Sequence, residues 1–293
     1  MPDKNSSTQT PAKSLESEFR FSSVSGPRLG SDLNEFQSLL ILDAVAGTMT
    51  LEKHRSESDA EEAPIGRFEA PLDTKTFNQL IELVDSLGLF NLPPSTGGGP
   101  GATVFTFEYH HDTSRSIHSI GSFDHEQVAQ VESVLDLLYQ IQSKLETGAQ
   151  TAIVVSIKRL GSFNDGHFEL TIRNIGNAPL YFADPRWLDV DLDNWAGARV
   201  AILPEEIPGV TSSPLEWTEV YIARPQTQKP DSVDVLLHPQ SEMTYATVNW
   251  TPKRAGNRYI IQGIYMSYQG PKEIHGVYRI RGAAFSKAIE KSY

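Results

Sequence analysis

The sequence changes its periodicity after Gly148, and this change constrains the fold more than any other feature. Apolar residues recur at helical spacing in two segments before Gly148, whereas no helical spacing follows it. The second half consists instead of short strand-like runs separated by Gly, Pro and Asn. Many short strands without helices are typical of a β-sandwich, in which two sheets pack face to face. We therefore expect an all-β second half.

The first half combines strands with helices. Apolar and polar residues alternate as in a strand on both sides of Gly47, which predicts a hairpin that turns near this glycine. One helix is expected after Asp73, whose side chain can cap the first turn, and it is expected to end at Gly88. A second helix is expected from Asp124 to Gly148. Strands and helices with short links predict an α+β domain, an antiparallel sheet with two helices on one face.

The length of the chain, 293 residues, is enough for two ordinary domains of roughly 150 residues each. We expect a disordered polar tail over 1–17, the α+β domain over 18–148 and a β-sandwich domain over 149–293. Each half has apolar periodicity of its own, which predicts that the two domains fold separately.

Two segments of the second half carry a resemblance to a known family. These are "FELTIRNIGNAPLYF", where a strand ends in the Asn174–Gly176 turn, and "GNRYIIQGIYMSY", where a strand follows Gly256 and Tyr259. Both resemble bacterial immunoglobulin-like domains. The resemblance covers roughly half of the chain and implies an immunoglobulin-like sandwich, a fold that carries many unrelated functions. No specific family resemblance is found for the first half.

The charge balance limits the classes of partner. Lys and Arg number 25 against 37 Asp and Glu, so the formal net charge is −12. Such a chain repels the phosphates of nucleic acids, and its few basic residues do not cluster. A protein partner of basic character suits this balance better.

Cysteine content and hydropathy limit the chemistry and the location of the protein. There is no cysteine, which excludes disulfides, thiolate zinc sites and a cysteine nucleophile. No apolar run approaches the roughly 18 residues of a membrane span, and the polar start has no apolar stretch typical of a secretory signal. We therefore expect a cytoplasmic protein that is not bound to a membrane.

Residues 104–129 hold four of the eight histidines and raise the question of a metal site. The stretch predicts a hairpin that turns at "DTSR", with His111 opposite Ser116 and Tyr109 opposite His118. Alternation then puts His110 on the other face, so three histidines do not converge. We expect no metal and no other cofactor here.

The helix after this hairpin begins like a metalloprotease motif but does not complete it. His125 and Glu126 match the opening of His-Glu-x-x-His, yet Ala129 stands where the second imidazole is required. Serine-hydrolase motifs are also missing. The sequence therefore predicts a protein that is not an enzyme and has no catalytic residues.

An acidic strand and a long loop are the candidate partner surface. Asp189, Asp191 and Asp193 have the opening spacing of a calcium loop, but Asn194 and Val200 stand where Gly and Glu are needed. Whether this strand binds calcium stays open. We favour an acidic strip for a basic partner.

The loop over 203–217 lies between Trp195 and Trp217 in the chain and also carries Glu205 and Glu206. Long loops on a rigid β scaffold commonly carry binding residues, and tryptophan is enriched at binding hot spots.

These observations predict a non-catalytic protein-binding protein, most concretely a bacterial toxin-neutralising immunity protein or an inhibitor. Two alternatives stay open. One is a carbohydrate-binding or adhesion module that uses the tryptophans of the second half. The other is a metal-dependent hydrolase that uses the region from His110 to His125.

Overall fold

The structure is a computed structural model that describes residues 17–25, 37–56, 63–95, 97, 102–162, 166–188, 197–204, 218–252, 258–268 and 270–292. Of the described residues, 53% lie in strands and 17% in helices. The predicted tail over 1–17 lies outside this part of the chain except for Ser17.

The helices are α1 (Thr74–Ser86), α2 (His125–Gln130) and α3 (Glu132–Glu146), and a 3-10 turn follows α1 at Leu89–Asn91. The strands of the first half are β1 (Ser17–Ser25), β2 (Ser38–Asp43), β3 (Thr48–Lys53), β4 (Ile65–Pro71), β5 (Thr103–His111) and β6 (Ser114–Gly121). The strands that follow are β7 (Ala149–Gly161), β8 (Gly166–Asn174), β9 (Leu180–Ala183), β10 (Gly197–Pro204), β11 (Thr218–Tyr221), β12 (Asp234–Leu237), β13 (Glu242–Ala246), β14 (Arg258–Ser267), β15 (Glu273–Ile274), β16 (Val277–Tyr278), β17 (Gly282–Phe285) and β18 (Ile289–Ser292).

One antiparallel sheet of nine strands runs through both halves of the chain. Its order is β13-β8-β7-β4-β3-β2-β1-β5-β6. A second sheet has the order β11-β10-β14-β17, and β18 also pairs with β14. Two small pairs, β12 with β9 and β15 with β16, complete the strand pairing of the described residues.

The predicted fold class was wrong. The described residues form a mostly β structure with three helices, and not an α+β domain whose own sheet carries two helices on one face. The second predicted helix is divided at Val131, where the backbone leaves the helical region with φ −106° and ψ 9°. The sheet is also not confined to the first half, because β4 pairs with β7. This long-range pairing leaves no local signal in the sequence.

The local helix signals were read correctly. The Asp73 side chain accepts hydrogen bonds from the amides of Lys75 and Thr76, which would otherwise lack partners at the helix start. Gly88 has φ 60°, the left-handed conformation that commonly ends a helix. The Asp124 side chain accepts from the amide of Gln127 and caps α2.

The helices and the first-half strands enclose one apolar core. Its members come mainly from α1, α3, the 3-10 turn and the seven strands β1 to β7, and their burial drives the packing of these elements. The largest fully buried side chains in this first core are Phe19, Phe21, Phe68, Phe107, Leu40, Leu42, Leu51 and Leu80.

The strand β7 belongs to two cores at once. Ala152 packs in the first core, whereas Ile153 and Val155 pack in a second core with side chains of β8, β14 and β17. Successive side chains of a strand point to opposite faces, so the continuous apolar run "AIVV" suits a strand that is covered on both sides.

The second half has its own layers. Leu170 of β8, Ala198 of β10 and Tyr265 of β14 are buried together in the second core, which lies between the nine-stranded and the five-stranded sheet. The Tyr265 hydroxyl accepts a hydrogen bond of 3.0 Å from the Ala183 amide. This β-rich arrangement is consistent with the predicted β-sandwich. The resemblance to immunoglobulin-like domains and the boundaries at 17 and 148 stay predictions.

Hydrogen bonds and ion pairs join the end of β3 to the second half of the chain. The His54 ring donates to the Arg281 carbonyl at 3.0 Å, and the backbone of His54 accepts from the Ala283 amide at 2.8 Å. The Glu52 carboxylate lies 3.7 Å from the His54 ring and 3.5 Å from Lys272. The His54 side chain, together with Lys272 and Arg67, lowers the pKa of Glu52 to about 2.

This pKa predicts how acid destabilises the protein. The pKa of Glu52 is lower in the folded than in the unfolded chain, so ionised Glu52 stabilises the fold fully above pH 4.5. That contribution, about 3 kcal/mol, is lost as the pH falls towards 2. Glu52→Gln is therefore expected to lower the free energy of unfolding at neutral pH and to flatten its dependence on pH over this window.

Urea unfolding at a series of pH values measures this effect. Glu82→Gln, an exposed position on α1, is the matched control and should leave the wild-type slope unchanged. An equal slope for Glu52→Gln and wild type would contradict the prediction.

Candidate functional site

The histidine-rich hairpin has a tighter turn than the sequence suggests. Asp112 and Thr113 alone connect β5 to β6, and Asp112 has φ 53°. Aspartate tolerates this left-handed conformation, so the chain reverses within two residues. The predicted register was wrong by two residues, since Tyr109 pairs with Ser116 and His111 with Ser114. A shift of two preserves the face to which each side chain points.

One face of the hairpin carries a charged group. The Glu108 carboxylate accepts a hydrogen bond from the His110 ring and one of 2.6 Å from Arg115. Arg115, and then His110, hold the pKa of Glu108 below its usual value. On the neighbouring β1, Arg20 donates to Glu18 at 2.6 Å. These five side chains form a charged strip across three adjacent strands.

The other face places His111 among hydroxyl groups. Its Nδ1 lies 2.9 Å from the Ser17 hydroxyl and 3.4 Å from the Tyr109 hydroxyl, and its ring stacks on the Tyr109 ring at 5.9 Å. Asp112 Oδ2 is 3.9 Å from Nε2. A serine–histidine–aspartate relay needs a hydrogen bond at both ring nitrogens, and 3.9 Å is too long for one. The group therefore lacks the geometry of an activated nucleophile.

His118 has a structural partner on this second face. It is buried opposite Phe107, and its Nε2 donates to Gln127 at 3.3 Å. Gln127 in turn donates to the Pro93 carbonyl at 2.9 Å. His118 thereby ties β6 to the start of α2.

The histidines of this region do not converge. His110 and His111 lie on opposite faces of β5, and His118 is bonded to Gln127. Within the described residues, no three His, Cys, Asp or Glu side chains come together to hold a metal ion.

A cleft opens between the end of α1 and the hairpin. It has a volume of about 310 Å³. Both polar and apolar residues line it. The polar lining consists of Asp85, Asn91, His111, Ser114 and Ser116, together with the Tyr109 hydroxyl.

The predicted partner surface lies outside the described residues. This applies to Asp189, Asp191, Asp193, Trp195, Glu205, Glu206 and Trp217. Trp250 is described and is buried, with its ring 5.4 Å from Tyr259 and 5.8 Å from Phe168. Trp250 therefore belongs to an apolar core of the second half.

An exposed strand edge is the feature that the sequence did not reveal. β6 is the last strand of the nine-stranded sheet, and its Ile117 side chain is 48% exposed. Phe123, just beyond the strand, is 56% exposed. Alternation identifies Ile117 as facing away from the first core, but only the strand order shows that, among the described strands, β6 pairs with β5 alone.

In comparisons with known proteins, no family model, no curated protein and no solved structure matches this chain. Among the described helices, none combines the length and the apolar character needed to cross a membrane.

Proposed function

We propose that the protein is a non-catalytic binding protein whose ligand is another protein, most concretely a toxin-neutralising immunity protein or an inhibitor. The supporting observation is the border of the nine-stranded sheet. There, the exposed apolar side chain of Ile117 lies opposite Glu108, which accepts hydrogen bonds from His110 and Arg115. Exposed apolar residues rimmed by charge are typical of protein-binding surfaces.

The partner site proposed from the sequence remains the acidic strand with Asp189, Asp191 and Asp193 and the loop that ends at Trp217. The net charge of −12 supports a basic partner. Carboxylates would speed the encounter by long-range attraction, which salt screens over roughly 8 Å at physiological ionic strength. A buried Trp217 would instead slow dissociation.

The alternatives have less support. A carbohydrate site on the tryptophans of the second half could not use Trp250, which is packed into the core, and would rest on Trp187, Trp195 and Trp217. A metal hydrolase needs convergent ligands, whereas His110 and His111 point to opposite faces of β5.

Binding kinetics test the proposal. Immobilised protein captures its partner from an extract of the source cell, and surface plasmon resonance with the purified partner follows at two salt concentrations. Asp189→Asn, Asp191→Asn and Asp193→Asn together are expected to slow association about tenfold at low salt, with a smaller loss at high salt. Trp217→Ala is expected to speed dissociation about thirtyfold or more, with little dependence on salt.

The control for the triple variant carries the same change of charge elsewhere. Glu82→Gln, Asp85→Asn and Asp136→Asn alter three exposed positions and should leave association unchanged. Both test variants must first show the wild-type circular dichroism spectrum. Wild-type kinetics in both would place the interface elsewhere, with the acidic loop Ser56–Glu62 as the next candidate.

A further inference from the structure

The hydrogen-bonding pattern of β6 shows which backbone groups lie at the free edge of the sheet. His111 and Ser114 flank the two-residue turn, so they form a hydrogen-bonded pair, and every second pair along the hairpin does the same. The Ser122 amide, in phase with Ser114, donates to the Thr103 carbonyl at 2.7 Å. The intervening residues of β6 therefore direct their amides and carbonyls away from β5.

One outward-pointing amide, at the end of β6, already has a hydrogen-bond partner. The Gly121 amide, which points outward, donates to the Ser95 hydroxyl at 3.1 Å. Arg115, Ile117 and Ser119 have the same outward phase, and their side chains are exposed. These three residues offer three amides and three carbonyls to a strand that arrives from solvent.

We propose that the strand is β6 of a second copy of this chain, paired antiparallel with a two-fold axis at Ile117. The outward residues are symmetric about this position. Ile117 then exchanges both hydrogen bonds with Ile117 of the second copy, and Arg115 exchanges both with Ser119. A single register thereby satisfies all six outward groups of each edge, which a symmetric interface requires.

The side chains suit the same register. Ile117 of one copy lies opposite Ile117 of the other, so two half-exposed apolar side chains become buried against each other. Arg115 lies opposite Ser119, so no like charges face each other directly. Arg115 already donates to Glu108 of its own chain at 2.6 Å, which reduces the repulsion between the two copies.

Pairing at this edge would join the two nine-stranded sheets into one continuous sheet. It would also remove the exposed edge that otherwise invites unspecific strand addition. Seven strands separate β6 from β13, the strand at the opposite edge of the sheet, and β13 is not involved.

A single cysteine tests the register, because the chain has none of its own. Directly opposed residues of a hydrogen-bonded antiparallel pair have Cα atoms about 5.5 Å apart, which is within the Cα range that disulfides bridge. Ile117→Cys is expected to become almost fully cross-linked under mild oxidation. Val45→Cys, equally exposed on the β2–β3 turn, is the matched control and should remain largely uncross-linked.

Sedimentation velocity of the full chain over a range of concentrations measures the dimer itself. Ile117→Lys places two like charges at the two-fold axis and is expected to raise the dimer Kd about tenfold or more. Val45→Lys should leave the Kd unchanged.

Ser119→Pro tests the backbone contribution, because it removes an amide that points outward and takes no part in the β5–β6 pairing. It also removes the hydrogen bond between the Ser119 and Thr106 hydroxyls, so Thr106→Ala serves as its control. We expect loss of the dimer in Ser119→Pro alone, with circular dichroism confirming that each variant is folded. A wild-type monomer at every concentration would overturn the proposal, and so would a dimer that persists in both Ile117→Lys and Ser119→Pro.

Discussion

Dividing the chain after Gly148 is expected to abolish cooperative unfolding in both fragments, 18–148 and 149–293. The cut lies at the boundary that the sequence predicts, and it separates strands that pair directly. β7 begins at Ala149 and pairs with β4, so the first fragment loses the neighbour of β4 and the second exposes the edge of β7. Each fragment is left with an unpaired edge inside what was a continuous sheet.

The two cores also share residues across the cut. Ala152 from the second fragment packs in the first core, and Ile65 from the first fragment packs in the second core. Both side chains are fully buried. Separation therefore exposes apolar surface in both fragments, and marginal stability leaves little to offset that loss.

Differential scanning calorimetry of each fragment measures this effect. The control is the equimolar mixture, which is expected to recover a single cooperative transition because the two fragments can restore the β4–β7 pair. A cooperative transition in each fragment alone would instead establish the two domains that the sequence predicts.

The sequence predicted those features that depend on neighbours in the chain. Asp73, Gly88 and Asp124 act within one helical turn, and each lies where its residue type predicted. The hairpin near Gly47 follows from alternation and from glycine's freedom to adopt φ 65°.

The features that the sequence missed depend on partners far along the chain or on small energy differences. The pairing of β4 with β7 joins residues more than eighty positions apart, and no periodicity encodes it. The hairpin turn at Asp112 could close with two or four residues, and both preserve the alternation of faces. The same limit applies to the site: an exposed Ile117 becomes informative only when the strand order places β6 at an edge.

Gly66→Ala is expected to destabilise the protein by about 3 kcal/mol or more, because two penalties combine at one position. Gly66 has φ 143°, a conformation that residues with a side chain rarely adopt. A Cβ atom there would also lie 2.2 Å from the Thr151 carbonyl oxygen and 2.6 Å from the Cα of Ala152, so the backbone of β7 would have to move.

The position of Gly66 makes that movement costly. It lies opposite Ala152 in the β4–β7 pair, next to the register shift between Arg67 and Phe68. β7 is packed on both sides, against the first core at Ala152 and against the second at Ile153, so it cannot shift without disturbing both.

The matched control is Gly47→Ala, which separates conformational strain from steric contact. Gly47 also has a positive φ, 65°, but a Cβ atom there would have no atom within 4 Å. It should cost about 1 kcal/mol through strain alone. Urea unfolding of both variants gives the two free energies. Equal destabilisation would mean that β7 can move away from β4 at little cost, in which case the nine-stranded sheet could separate at this pair and the two halves of the chain would act as independent domains.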